Sequence, residues 1–156
     1  MKGRGMRIAV GSDERTNLTD FVIGELRRRG LRVELFGPLA GEAGEWAEVG
    51  REVAEAVAGG RCDQGILFCW TGTGVCIAAN KVPGVRAALC VDAETARGAR
   101  RWNHANVLVM SLRLTSEPVA KEILDAWFST PFGKEEFDLR NVRVIEEIER
   151  EYSRNP

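Results

Sequence analysis

Short apolar runs alternate along the chain with longer stretches in which apolar residues recur every three to four positions. Residues 7–11 (Arg-Ile-Ala-Val-Gly), 64–69 (Gln-Gly-Ile-Leu-Phe-Cys), 86–90 and 107–110 are short and apolar, as strands buried on both faces are. Residues 32–36 alternate polar and apolar, which fits a strand at a sheet edge or with one exposed face, and Gly37 and Pro38 break it. Between these runs the periodicity predicts helices over 19–29, stopped by Gly30, and over 45–58, where Val49, Val53, Ala56 and Val57 share a stripe that ends at Gly59 and Gly60. Further helices are expected to begin near Gly74 and run to Asn80, to cover 93–102, and to start around Pro118 and reach about Ser129. Residues 141–152 are charged and helical in pattern, a candidate docking tail.

Five strands each followed by a helix predict the α/β class: a single doubly wound, Rossmann-like domain over residues 1–156. Its five-stranded parallel sheet carries helices on both faces, with one more helix at the C-terminus. Residues 1–6 and 153–156 are expected to be flexible. Sheets of this kind bind ligands at the carboxyl ends of their strands, where the strand order reverses.

Composition narrows the partners. With 44% hydrophobic and 29% charged residues the chain is neither disordered nor collagen-like. A net charge of −1 leaves no broad basic surface, so nucleic acid is not an expected partner. No apolar run approaches the ~20 residues of a membrane span, and the basic segment before Arg7 is not followed by a signal-type apolar stretch. The four cysteines (Cys62, Cys69, Cys76 and Cys90) show no Cys-x-x-Cys spacing and only one histidine accompanies them. We therefore expect free thiols, no metal centre and a cytoplasmic protein.

The densest chemistry is Cys69-Trp70-Thr71-Gly72-Thr73-Gly74, directly after the third strand and opening a helix. Glycines there let backbone N–H groups face an anionic oxygen, and the helix N-terminus adds partial positive charge. The same field would push a thiol at its mouth toward thiolate. Such a thiolate can remove a proton next to a carbonyl while the N–H groups hold the enediolate oxygen. The plain alternative is a buried cysteine packing beside a tight turn. After the first strand, Asp13 and Glu14 are placed to orient sugar hydroxyls; Asp13, Thr16 or Asn17 could equally cap the next helix. His104 is a candidate acid or base or a surface loop residue, and Arg113 a candidate phosphate ligand or a solvated side chain.

Together these segments resemble the ribose-5-phosphate isomerase B and galactose-6-phosphate isomerase family over residues 7–143. Residues 69–81 (Cys-Trp-Thr-Gly-Thr-Gly-Val-Cys-Ile-Ala-Ala-Asn-Lys) follow the family's Cys-Gly-Thr-Gly-x-Gly and Ile-Ala-Ala-Asn-Lys, and Arg86-Ala87-Ala88-Leu89-Cys90 and Ala105-Asn106-Val107-Leu108 look like further family segments. The resemblance implies an aldose–ketose isomerase of carbohydrate metabolism, in or near the pentose phosphate pathway. It would act on a sugar phosphate without metal or organic cofactor. Cys69 falls on the family's base, Thr71 on the residue assisting ring opening, and the N–H groups of Thr71, Gly72 and Gly74 on the anion hole. Asp13 and Asn103 fall on substrate-contacting residues and Arg113 on a phosphate-binding arginine. Sites built between two subunits imply a homodimer, with a tetramer as a further step.

The departures are specific. Glu14 stands where the family usually has histidine, Trp102 where it has the ring-opening histidine, with His104 two residues on, and Trp70 where it has a loop glycine. Trp46 stands where a tyrosine is common. Arg140 and Arg143 lie near the family's paired C-terminal arginines but out of register. The substrate is expected to be ribose 5-phosphate/ribulose 5-phosphate or a related sugar phosphate, and these substitutions favour one other than ribose 5-phosphate, such as a tetrose phosphate. The alternatives are an ordinary ribose-5-phosphate isomerase, with His104 or water covering for the lost histidine, and a catalytically weak sugar-phosphate-binding subunit.

Overall fold

The computed structural model describes residues 5–153. In chain order the elements are β1 (Arg7–Ser12), α1 (Asn17–Arg28), β2 (Arg32–Phe36), a 3-10 turn (Gly37–Ala40), α2 (Trp46–Ala58), β3 (Gln64–Cys69), α3 (Thr73–Asn80), β4 (Ala87–Leu89), α4 (Ala93–Asn103), β5 (Val107–Ser111), α5 (Glu117–Ser129) and α6 (Glu136–Tyr152). The flexibility expected at the termini falls mostly on residues 1–4 and 154–156, outside the described residues. Met6 packs against the core, and its carbonyl accepts the Arg32 N–H at 2.9 Å.

The sheet is wholly parallel, in the order β2-β1-β3-β5-β4. The chain leaves β1 toward β2 and returns to β3 on the other side, so the crevice where the order reverses lies between the carboxyl ends of β1 and β3. Side chains alternate across each strand. Ile8, Val10, Ile66, Phe68, Leu108 and Met110 point to one face, under α1, α4 and α5. Ala9, Leu67, Cys69, Val107 and Val109 point to the other, under α2 and α3. Both clusters are fully apolar, which is why the strands read as unbroken hydrophobic runs.

Local chemistry moves several boundaries from their expected places. α1 starts at Asn17 because Thr16 and Thr19 form a capping box, each hydroxyl accepting the other's backbone N–H. β4 is only three residues long. Its neighbour Arg86 gives its N–H to the Asn106 side chain at 2.8 Å, and the Asn80 amide closes on Ala87, donating to its carbonyl and accepting from its N–H. An edge strand is thereby sealed by one side chain. α6 begins at Glu136, a turn earlier than its charge pattern suggests, and is joined to the Gly84 turn by the Glu149 carboxylate at 2.8 Å. No described helix is long and apolar enough to cross a membrane.

Candidate active site

The carboxyl ends of β1, β3 and β5 bring three polar side chains into one row. Cys69 pairs with Ser111, and Ser12 with Phe68, so Asp13 follows opposite Cys69 one residue past β1. Alternation places Cys69 and Ser111 on the α2/α3 face, while Asp13 follows β1 at the same edge, in a turn that the Ser12 hydroxyl closes onto Glu14. Adjacent strands are ~4.8 Å apart, so Cys69 and Ser111 are direct neighbours and Asp13 stands at the end of the next strand over.

After Cys69 the chain turns through Trp70 and Thr71 and reaches Gly72, which caps α3 at φ 83°. This position requires glycine twice over: the left-handed conformation disfavours a side chain, and a Cβ would lie 2.6 Å from Leu89 Cδ1. Gly74, in the first turn of α3, is required for space. A Cβ there would sit 2.7 Å from the Trp46 ring, so the indole lies flat against the helix start and walls it. The first N–H groups of α3 have no acceptor within the helix. The Thr71 and Thr73 hydroxyls bond to each other at 2.8 Å above them. Trp70 stands 60% exposed at the rim rather than filling the crevice, and among the described residues its backbone is not in the left-handed region.

Asp13 completes this edge. Its Oδ1 is buried and has no hydrogen-bond partner. Burial pushes its carboxyl above the usual range, its own backbone N–H pulls it back, and the Glu14 charge pushes in the same direction as burial. Glu14 is exposed, with its N–H and carbonyl both held by the Ser12 hydroxyl at 3.1 and 2.6 Å. Arg113 belongs to the same edge: its N–H donates to the Trp70 carbonyl at 3.0 Å, and its side chain is exposed.

The remaining candidates lie elsewhere in this copy. Trp102, Asn103 and His104 end α4 beside the start of β5, at the amino edge of the sheet, a strand's length (~16 Å) from Cys69. Trp102 packs over Gly98 and is 50% exposed. His104 adopts φ 53° as the α4 C-cap, stacks on Phe132 with ring centroids 4.3 Å apart, and places Nε2 2.9 Å from the Gly133 carbonyl. Arg140 lies over Phe137, and Arg143 pairs with Glu136 at 2.7 Å, both on α6, which runs beside the end of α4. The expectation that all these residues line one crevice does not hold within a single copy, because a helix following a parallel strand returns the chain to the sheet's opposite edge. Sequence reasoning missed Ser111 and Asn80: each looks like an ordinary polar residue until its partners across the sheet are known.

Comparison with known proteins gives the context. A family model described as Ribose/Galactose Isomerase matches residues 8–148. The D-erythrulose-4-phosphate isomerase of Pectobacterium atrosepticum is 37% identical over 129 residues, covering 81% of this chain and 85% of that protein. Ribose-5-phosphate isomerase B of Escherichia coli is 36% identical over 128 residues, covering 81% and 86%. Among solved structures, ribose-5-phosphate isomerase B of Clostridium thermocellum superposes with a TM-score of 0.88 at 40% identity, covering 94% of this chain and 99% of that one.

Proposed function

The chain belongs to the ribose/galactose isomerase family, and from that premise we propose that it interconverts the aldose and ketose forms of a short, open-chain sugar phosphate. The observation that carries this reading is the row at the carboxyl edge: a thiol, a buried carboxyl oxygen with no partner and a helix start walled by an indole meet in the switch crevice. In the proposed reaction the Cys69 thiolate takes the proton from the carbon beside the carbonyl. The electron pair moves onto the carbonyl oxygen, and the N–H groups of Thr71, Gly72 and Gly74 hold the enediolate. The proton of the adjacent hydroxyl passes to that oxygen, and the Cys69 thiol returns its own proton to the former carbonyl carbon, leaving the new carbonyl on the carbon that was first deprotonated. Asp13 binds the substrate hydroxyls, supplying the partner its buried oxygen lacks.

A four-carbon substrate is favoured by the substitutions. Trp102 transfers no proton where ring opening needs a donor, a contribution worth ~10²–10⁴ in rate, and a tetrose phosphate needs no ring opened. Glu14 adds negative charge near the rim. The two curated relatives above, one named for a four-carbon and one for a five-carbon substrate, are equally similar to this chain and do not decide between them.

The sites are proposed to be composite, in a homodimer. Trp102, Asn103, Arg140 and Arg143 sit too far from Cys69 in one copy, while α6 exposes Phe137, Val144, Ile148 and Tyr152 to solvent. A second copy would cover that stripe and bring its own amino edge to this Cys69. Screening tetrose, pentose and hexose phosphates for aldose–ketose exchange by mass spectrometry and NMR tests the assignment, with the tetrose phosphate turned over fastest. Ribose 5-phosphate as the best substrate overturns the four-carbon reading. The loss of the ring-opening donor at Trp102 also favours a second reading, a binding subunit, which binding of these compounds without exchange would establish.

A further inference from the structure

We propose that Ser111 is a positioning residue for the isomerase reaction, holding the Trp70–Thr71 peptide so that the Thr71 N–H faces the crevice; this rests on the isomerase reading of Cys69. Ser111 is the last residue of β5, 4% exposed, and lies beside Cys69 across the ladder. Its hydroxyl donates to the Trp70 carbonyl at 3.0 Å and accepts the Leu114 N–H at 3.2 Å. The Arg113 N–H is a second donor to the same carbonyl at 3.0 Å, and the Leu112 N–H bonds the Cys69 carbonyl at 3.0 Å. The β3–β5 pairing is thus extended past the end of both strands, into the loop that carries the chemistry.

The consequence follows from the planarity of the peptide unit. The Trp70 carbonyl and the Thr71 N–H belong to one trans peptide and point in opposite directions. Turning the carbonyl toward β5 turns the N–H toward β1, across the switch crevice and toward the side where Asp13 lies. Rotation of this peptide would replace a donor to the enediolate by a carbonyl oxygen that repels it. Two donors on one carbonyl oppose that rotation, and the Ser111 hydroxyl is the one that depends on a side chain. The same hydroxyl closes the turn bearing Arg113 by taking the Leu114 N–H, so one group orients the loop and the arginine turn together.

The test compares Ser111→Ala, and the isosteric pair Ser111→Thr and Ser111→Val, with the full-length protein on whichever sugar phosphate the wild type turns over. In Ser111→Ala we expect kcat to fall about 10- to 100-fold with KM little changed, and amide exchange over residues 70–74 to accelerate while β3 stays protected. Ser111→Thr should keep most of the wild-type kcat, and Ser111→Val should lose it as Ser111→Ala does. Wild-type kcat in folded Ser111→Ala, or equal losses in the Thr and Val variants, overturns the proposal. If the alanine variant does not fold, the Thr/Val pair alone decides, since the two differ in the hydroxyl and not in shape. A wild type inactive on every sugar phosphate would instead overturn the isomerase reading, and amide exchange would still report on the peptide.

Discussion

The two edges of the sheet use similar residue types to opposite ends. At the amino edge several polar groups have fixed partners. Asn106 bonds Arg86 and Gly84, the Arg86 guanidinium holds the His104 carbonyl, and Arg100 reaches the Ala105 carbonyl while lying over Trp127 and Phe132. At the carboxyl edge Asp13 keeps a buried oxygen with no partner, Gly72 holds a left-handed cap without a side-chain cap bond, and the Thr73 N–H reaches only the Thr71 hydroxyl, at 3.5 Å. Satisfied polar groups build a scaffold, and unsatisfied ones store the capacity to bind. A histidine at the first edge is therefore a weaker catalytic candidate than a cysteine at the second, whatever their intrinsic reactivity.

The sharpest way to break this contrast is Cys69→Ala. Activity should fall by about three orders of magnitude or more, with the far-ultraviolet circular dichroism spectrum unchanged. Full activity would move the base elsewhere, with Glu14 the first candidate. The proposed link between the edges is tested by mixing. Cys69→Ala and Asn103→Ala homodimers should each be impaired, and unfolding and refolding them together should restore about a quarter of wild-type activity, since one heterodimer site in two is intact. No recovery, or a monomer by light scattering, refutes the composite site.

Asp13→Asn should cost activity about 10- to 100-fold yet raise the thermal midpoint at pH 7. The sign follows from burial. The folded carboxyl titrates above its ordinary 3.8, so the folded state keeps a proton that the unfolded chain has lost. Stability then falls as pH rises through that window and stays lower above it. The gain in the variant should shrink toward pH 3 in calorimetric scans; a gain that is equal at both pH values rules this cause out. The smallest effect is expected from His104→Ala, which removes a stacked ring and a hydrogen bond for about 1–2 kcal/mol of stability. Urea unfolding would measure that loss, and kcat should stay within about a factor of two.

Much of this fold was written in the order of its elements. Strands 64–69 and 107–110 were legible because both faces are buried and nothing polar interrupts them. The Cys69 loop was legible because its glycines sit directly after a strand and before a helix. Boundaries decided by side-chain partners were less so: Thr16 was one of three candidate caps for α1 until its pairing with Thr19 singled it out, and Asn80 sealing β4 depends on contacts that a linear pattern does not encode.

The sequence by itself determined the parallel sheet, the two apolar layers and the nest after β3, since periodicity and glycine placement act locally. Only the tertiary structure decided that Asp13, Cys69 and Ser111 stand in one row, because that depends on β1, β3 and β5 being neighbours and on their register. It alone separated His104 from Cys69 as well: the two flank adjacent strands, but each crossover helix carries the chain from one edge of the sheet to the other.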